Sequence, residues 1–290
     1  MLKGGGSLDV FKQSIGKFYL RTLHSTKAMH MKKGTKKEKT AFDMAIIGVC
    51  AALYAVVGLL TSFGLNVGGV AFWPAAVIPA VFAVVFGPWV GGIGASIGIF
   101  IRDMVFHGNP LLSLSAGVTG NFAAFFLIGY LSGTDLSRRK LVLSSFIGAL
   151  VIVGGLLLPT LLLPGESAMF TRLSFFETAT IFVLLSLITI FATVIVARRW
   201  PQWRNFTVAA FIGQGVGAAV LTLGLWIYSQ LFFAAGSYIE SAIPSTFIPV
   251  IFVWTFATEI PFVLLLGPSL VRACYKAFPS LRKTPQAEVL

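Results

Sequence analysis

The chain has 290 residues, 57% of them hydrophobic and only 11% charged, with a mean hydropathy of +0.89. A soluble domain carries about a quarter of its residues as charges, so this composition excludes a water-soluble globule. The net charge of +12 does not mark a nucleic-acid binder either, because ten Lys and Arg crowd into residues 1–40 beside only Asp9 and Glu38, while the other 250 residues hold twelve against eight.

Residues 1–40 read as a basic tail suited to anionic lipid headgroups. Leu8, Phe11, Ile15, Phe18 and Tyr19 recur at helical spacing with Lys12, Lys17 and Arg21 between them, a weak amphipathic helix for a membrane surface. The polar run from Met31 to Lys39 has nothing to pack with. Apolar spans follow at 43–63, 73–87, 89–106, 111–132, 141–163, 174–197, 206–235 and 246–272. A helix crosses the ~30 Å hydrocarbon layer with about 20 residues, which most of these supply. Pro88, between Gly87 and Trp89, stops one helix and starts the next, so spans two and three form a tight hairpin.

The charges between spans alternate. Arg138, Arg139 and Lys140 share one side with Arg198, Arg199, Arg204 and Arg272, whereas Asp103, Glu166, Glu177 and Glu240 fall in the other gaps. Basic loops stay cytoplasmic. The expected fold is therefore an all-α polytopic membrane helix bundle of about eight transmembrane helices in the cell membrane, with both termini inside. Its parts are a tail at 1–40, the membrane domain at 41–278 and a cytoplasmic tail at 279–290. Cys50 and Cys274, far apart and outside any CxxC, read as packing residues.

Nothing resembles hydrolytic or redox machinery: there is no GxxxxGK[ST], HExxH or GxSxG, and no His pair at ligand spacing. The expectation is no enzyme, no catalytic residue, no metal and no cofactor. Attention falls instead on polar residues inside spans, because burying them in lipid is expensive. Glu259 lies mid-span with Pro261 close behind it, and Asn121 and Gln214 are central in their own spans. Each amide also suits interhelical hydrogen bonding. Arg102 and Asp103 end the third span, as an outer gate or an ion pair, ahead of Asn109. Trp254 is an aromatic able to stack on a planar ligand or to join an interfacial belt. Asn109, Asn121, Gln214, Trp254 and Glu259 are the candidate substrate-binding set. Small residues on span three (Gly91, Gly94, Ala95, Gly98) and span seven (Gly213, Gly217, Ala218) suit close helix packing within the chain.

The stretch Ala51 to Leu60, followed by Pro79 to Ala95 with its Phe86-Gly87-Pro88 turn, resembles the substrate-binding (S) components of energy-coupling factor (ECF) vitamin transporters. Glu259-Ile260-Pro261-Phe262 and Gly267-Pro268 resemble that family's last helix. The likeness covers residues 45–131 and 259–275; the count of eight spans departs from the family's six, leaving a six-helix core plus extra helices. It implies a membrane subunit that captures a vitamin or related small nutrient outside. A coupling membrane subunit and a pair of cytosolic ATPases would energise its uptake. The coupling subunit would dock on the small face of span one, here Ala51 and Ala55 with Gly48 and Ala52. A stand-alone ion-coupled permease, with Glu259 as the ion site, and a non-transporting membrane scaffold are the other readings.

Overall fold

The computed structural model describes residues 36–62, 66–67, 69–134, 139, 142–143, 146–148, 175–234 and 237–279. The segment Leu8 to Tyr19, Lys140, Glu166, most of span 141–163 and the tail after residue 279 lie outside the described residues. By compactness the chain divides into Met1–Phe42 and Asp43–Leu290, and the helix bundle is the second unit.

Helix α1, Lys36–Thr61, is followed by a small antiparallel hairpin of β1, Asn66–Val67, and β2, Val70–Ala71. Gly69 turns it at φ 84°, a left-handed conformation that glycine adopts without strain. A 3₁₀ turn, Pro74–Ala76, leads into α2, Val77–Phe86. Gly87, at φ 111°, ends α2, and Pro88 opens α3, Pro88–Phe106, giving the tight hairpin expected at that proline. Helix α4, Pro110–Ser132, is wound as a π-helix over Ser113–Val118. Then come α5, Phe175–Arg198, α6, Arg204–Leu231, and α7, Ile248–Ala277, the last entered through a 3₁₀ turn at Ser245–Phe247.

Each of the expected spans other than 141–163 has a helix in its place, and the described residues of that span (142–143 and 146–148) are helical as well. Among the described residues, five helical segments are long and apolar enough to cross a membrane: Thr40–Thr61, Pro88–Phe106, Pro110–Ser132, Arg204–Leu231 and Ser245–Ala277. Their outward faces carry large apolar side chains, among them Leu60 on α1 and Leu231 on α6, and on α5 Leu187 and Phe191 are also exposed. Water does not tolerate apolar surface on this scale; lipid does. The protein is an all-α, multi-pass membrane helix bundle.

Lipid tails give helices no hydrophobic reason to associate, so close backbone approach has to hold them together. Glycines provide it. A Cβ on Gly217 of α6 would lie 2.9 Å from the Gly120 carbonyl of α4, and one on Gly213 would lie 2.6 Å from the Ala124 carbonyl. On α3, a Cβ at Gly94 would meet Cys50 Sγ at 2.7 Å, and one at Gly98 would meet the Ala51 carbonyl at 2.7 Å. Both small-residue faces expected to serve packing within the chain do so.

These contacts correct the docking face expected on α1. Ala51 and Ala55 are 2% and 3% exposed because they are turned toward the bundle's own interior, Ala51 closing on Gly98. Gly48 and Ala52, about a quarter-turn round the helix, remain exposed. Of the four residues, only those two are open to a partner.

Helices α6 and α7 run antiparallel. At one end Phe206 packs beside Gly267, and Arg198, Arg199, Arg204 and Arg272 cluster near this end. At the other, Leu225 and Tyr228 pack with Ile243, Phe247 and Ile251. The β hairpin, the His107–Asn109 turn and the connection before α7 all meet at this second end. Tyr238 donates to the Gly69 carbonyl at 2.9 Å, and its ring lies 5.1 Å from the His107 ring.

A pocket at the end away from the arginine cluster

The pocket is a consequence of how α3 and α4 end. Helix α3 presents Ile99 and, one turn on, the adjacent Arg102 and Asp103 toward the interior, and His107 closes the helix. The chain then reverses through Gly108, at φ 66°, and Asn109 caps α4 by accepting from the Leu112 amide at 3.0 Å. The π-wound turn that comes next sets Ala116, Gly117 and Asn121 along the wall beside α3, so close that a Cβ on Gly117 would lie 2.7 Å from Asp103 Oδ2. Wider winding of this kind recurs where a helix must present groups to a ligand. Leu221 and Leu225 of α6 and Glu259 of α7 form the far side, and the hairpin residues Gly69 to Ala71, with Trp73 and Tyr238, cover the top. The cavity holds about 560 Å³ of space when its open mouth is counted.

Two polar networks line it. In the first, Trp73 Nε1 donates to Tyr54 Oη at 2.7 Å, and that hydroxyl donates to Asn121 Oδ1, whose own Nδ2 donates to the Gly117 carbonyl at 2.8 Å. Tyr54 is fully buried and packs edge-on to Trp73 and Phe125, so α1, the hairpin and α4 are joined at one hydroxyl. In the second, Arg102 Nη1 donates to Asp103 Oδ1 at 3.1 Å, Ser113 Oγ donates to Asp103 Oδ2 at 2.7 Å, and His107 Nε2 stands 3.7 Å from Oδ1. The Asn109 amide donates to His107 Nδ1 at 3.1 Å, which leaves the proton on Nε2, facing the carboxylate. Burial pushes the Tyr238 phenol up to about 12; Arg102 opposes the shift and Asp103 adds to it.

Glu259 is 7% exposed, and among the described residues no Lys, Arg or His forms an ion pair with it. The Gln214 side chain is its polar neighbour, near enough to act on the carboxyl, although Gln214 Nε2 makes no hydrogen bond within ordinary limits. Glu259 lines the pocket; Gln214 stands behind it.

Of the candidate binding residues, the structure gathers Asn121 and Glu259 at the pocket, together with Arg102 and Asp103, whose ion pair is present. It assigns the others different work. Asn109 is committed as the α4 cap and, through Nδ2, to Tyr228 Oη at 2.5 Å. Trp254 is fully buried and donates to the Val70 carbonyl at 2.8 Å, so it holds the hairpin and offers no face to a ligand. Trp73, His107 and Tyr238 line the pocket although they fall outside the candidate binding set. The Gly68-Gly69 pair between valines is the available hairpin signal, and the hairpin is what carries Trp73 into place. No protein-family model, no curated protein and no solved structure matches this chain.

Proposed function

We propose that the protein is a membrane-embedded capture subunit that takes up a vitamin or related small nutrient at the outer face of the cell membrane, with both termini in the cytoplasm. The observation that carries this reading is the position of the pocket. Buried ionisable groups, Arg102, Asp103 and Glu259, face a cavity at the end of the bundle opposite Arg198, Arg199, Arg204 and Arg272. Arginine-rich connections stay in the cytoplasm, which turns the pocket outward. Charges retained at such a cost inside a membrane protein mark a ligand or ion path.

A chain with no nucleotide-binding loop in its sequence moves cargo passively, by ion coupling, or with help. The sequence likeness to ECF S components favours help: a coupling membrane subunit meeting Gly48 and Ala52 on α1, driven by a cytosolic ATPase pair, while the basic tail engages anionic lipid. The absence, among the described residues, of a cationic partner for Glu259 favours the second reading, an ion-coupled permease in which that carboxyl takes up a proton.

The test starts from the purified full-length chain. Native mass spectrometry identifies any small molecule it retains, and uptake of that molecule is then followed in cells. Uptake lost on ATP depletion but resistant to a protonophore supports the coupled subunit; the opposite pattern supports the permease. A chain that retains nothing and moves nothing is a scaffold.

A further inference from the structure

Arg102 is 6% exposed, yet only one of its three nitrogens has a partner among the described residues. Nη1 donates to Asp103, while Nε and Nη2 make no hydrogen bond there. A guanidinium brought out of water with donors unused is a costly arrangement, and a fold seldom keeps one without a partner that arrives later. The two idle nitrogens are also a particular pair. Nε–H and one Nη2–H point in parallel from the same edge of the plane, the edge that matches two oxygens of a carboxylate or phosphate.

The group is held ready. Its Cζ lies 4.1 Å from the Phe106 ring centroid and 4.7 Å from that of Trp73, and both contacts orient the guanidinium before any ligand arrives. Asp103 does not use up the site's capacity for an anion, because its two oxygens are already engaged by Arg102 Nη1 and by Ser113, with His107 nearby. Across the pocket Glu259 offers a carboxyl without a cation among the described residues, so the lining is unlike at its two ends.

Resting on the pocket being a small-molecule site, we infer that its ligand carries an oxyanion, a carboxylate or a phosphate, bound by the Nε–Nη2 edge of Arg102 beneath the Trp73 hairpin.

The full chain in phosphatidylcholine nanodiscs tests this with three probes, inorganic phosphate, acetate and chloride, at matched ionic strength and with tryptophan emission as the readout. A saturable response to phosphate or acetate and none to chloride is expected, and which of the two acts identifies the kind of anion. Arg102→Lys keeps the charge beside Asp103 but loses the two-pronged edge, and should weaken the response about ten- to a hundredfold. Arg102→Gln should abolish it. Unfolding midpoints confirm that each variant is folded, and where Arg102→Gln is not, Arg102→Lys decides. Equal responses from wild type and Arg102→Lys, or no response from wild type, overturn the inference. Native mass spectrometry separates it from the reading beneath it. A retained molecule lacking carboxylate and phosphate overturns the anion site and leaves the capture pocket standing. If no molecule is retained but the phosphate response is lost in Arg102→Lys, the anion site stands and the capture reading falls.

Discussion

Trp254 donates its indole N–H to the carbonyl oxygen of Val70 at 2.8 Å, tying the second turn of α7 to a two-residue strand 184 positions earlier. The bond makes the β hairpin a fixed roof, with Trp73 carried at its base. Replacing Trp254 by Phe keeps an aromatic ring and leaves a partly buried carbonyl without its donor, a loss of about 1 kcal/mol. Thermal unfolding in nanodiscs should show the drop, and hydrogen exchange at residues 66–71 should quicken. Unchanged exchange there would mean that something else holds the roof.

Gly98 and Gly48 provide a matched pair on one interface. A side chain at Gly98 meets the Ala51 carbonyl at 2.7 Å and Tyr54 at 3.0 Å, whereas one at Gly48 meets nothing within 4 Å. Gly98→Val should therefore destabilise by about 1–3 kcal/mol through overpacking, and Gly48→Val should leave the unfolding midpoint where it is. If a coupling subunit docks on α1, Gly48→Val and Ala52→Leu should block its association without altering the pocket. Equal destabilisation at both glycines would contradict the assignment of inner and outer faces.

Tyr238 predicts a pH dependence. Its phenol is raised from about 10 to about 12 by burial, so the folded protein favours the protonated form. That contribution is fully present below pH ~10 and is lost as pH rises through 12. Ultraviolet titration should show a late-ionising component in the wild type that is missing from the difference curve of Tyr238→Phe. Tyr238→Phe also gives up the bond to the Gly69 carbonyl, so the hairpin should loosen in step.

Topology is checked by accessible tags. The account expects a tag at Arg199 to report the cytoplasm and one at Glu240 to report the outside. An external signal at Arg199 would turn the pocket inward and end the capture reading.

Most of the helical framework is legible because lipid imposes a length and loops carry the charge; α3 and α4 lie within a residue of the apolar stretches read from the chain. The direction in which each helix faces is not. Helix α7 is apolar on nearly every side, so periodicity cannot tell that Trp254 serves the hairpin while Glu259 faces the pocket. On α1, alanines at spacing of four mark a smooth face without saying whose backbone it meets, and here it meets Gly98. The role of Asn109 is legible in principle, since Asn followed by Pro is a helix-start signal; the backbone has the prior use for its side chain, ahead of any ligand. The idle edge of Arg102 depends on three-dimensional neighbours and leaves no trace in the sequence.

The measurement that tests the central claim most directly compares the small molecules retained by purified wild-type protein and by Glu259→Gln, each released by denaturation and quantified by mass spectrometry. Glutamine preserves shape but changes the acceptor pattern, and misplacing one hydrogen bond to a charged acceptor weakens binding about ten- to a hundredfold. The account predicts one species abundant in the wild type and depleted by that factor in the variant, with unfolding curves confirming an intact bundle. Equal retention by the two proteins, or none by either, would contradict a capture pocket built around Glu259.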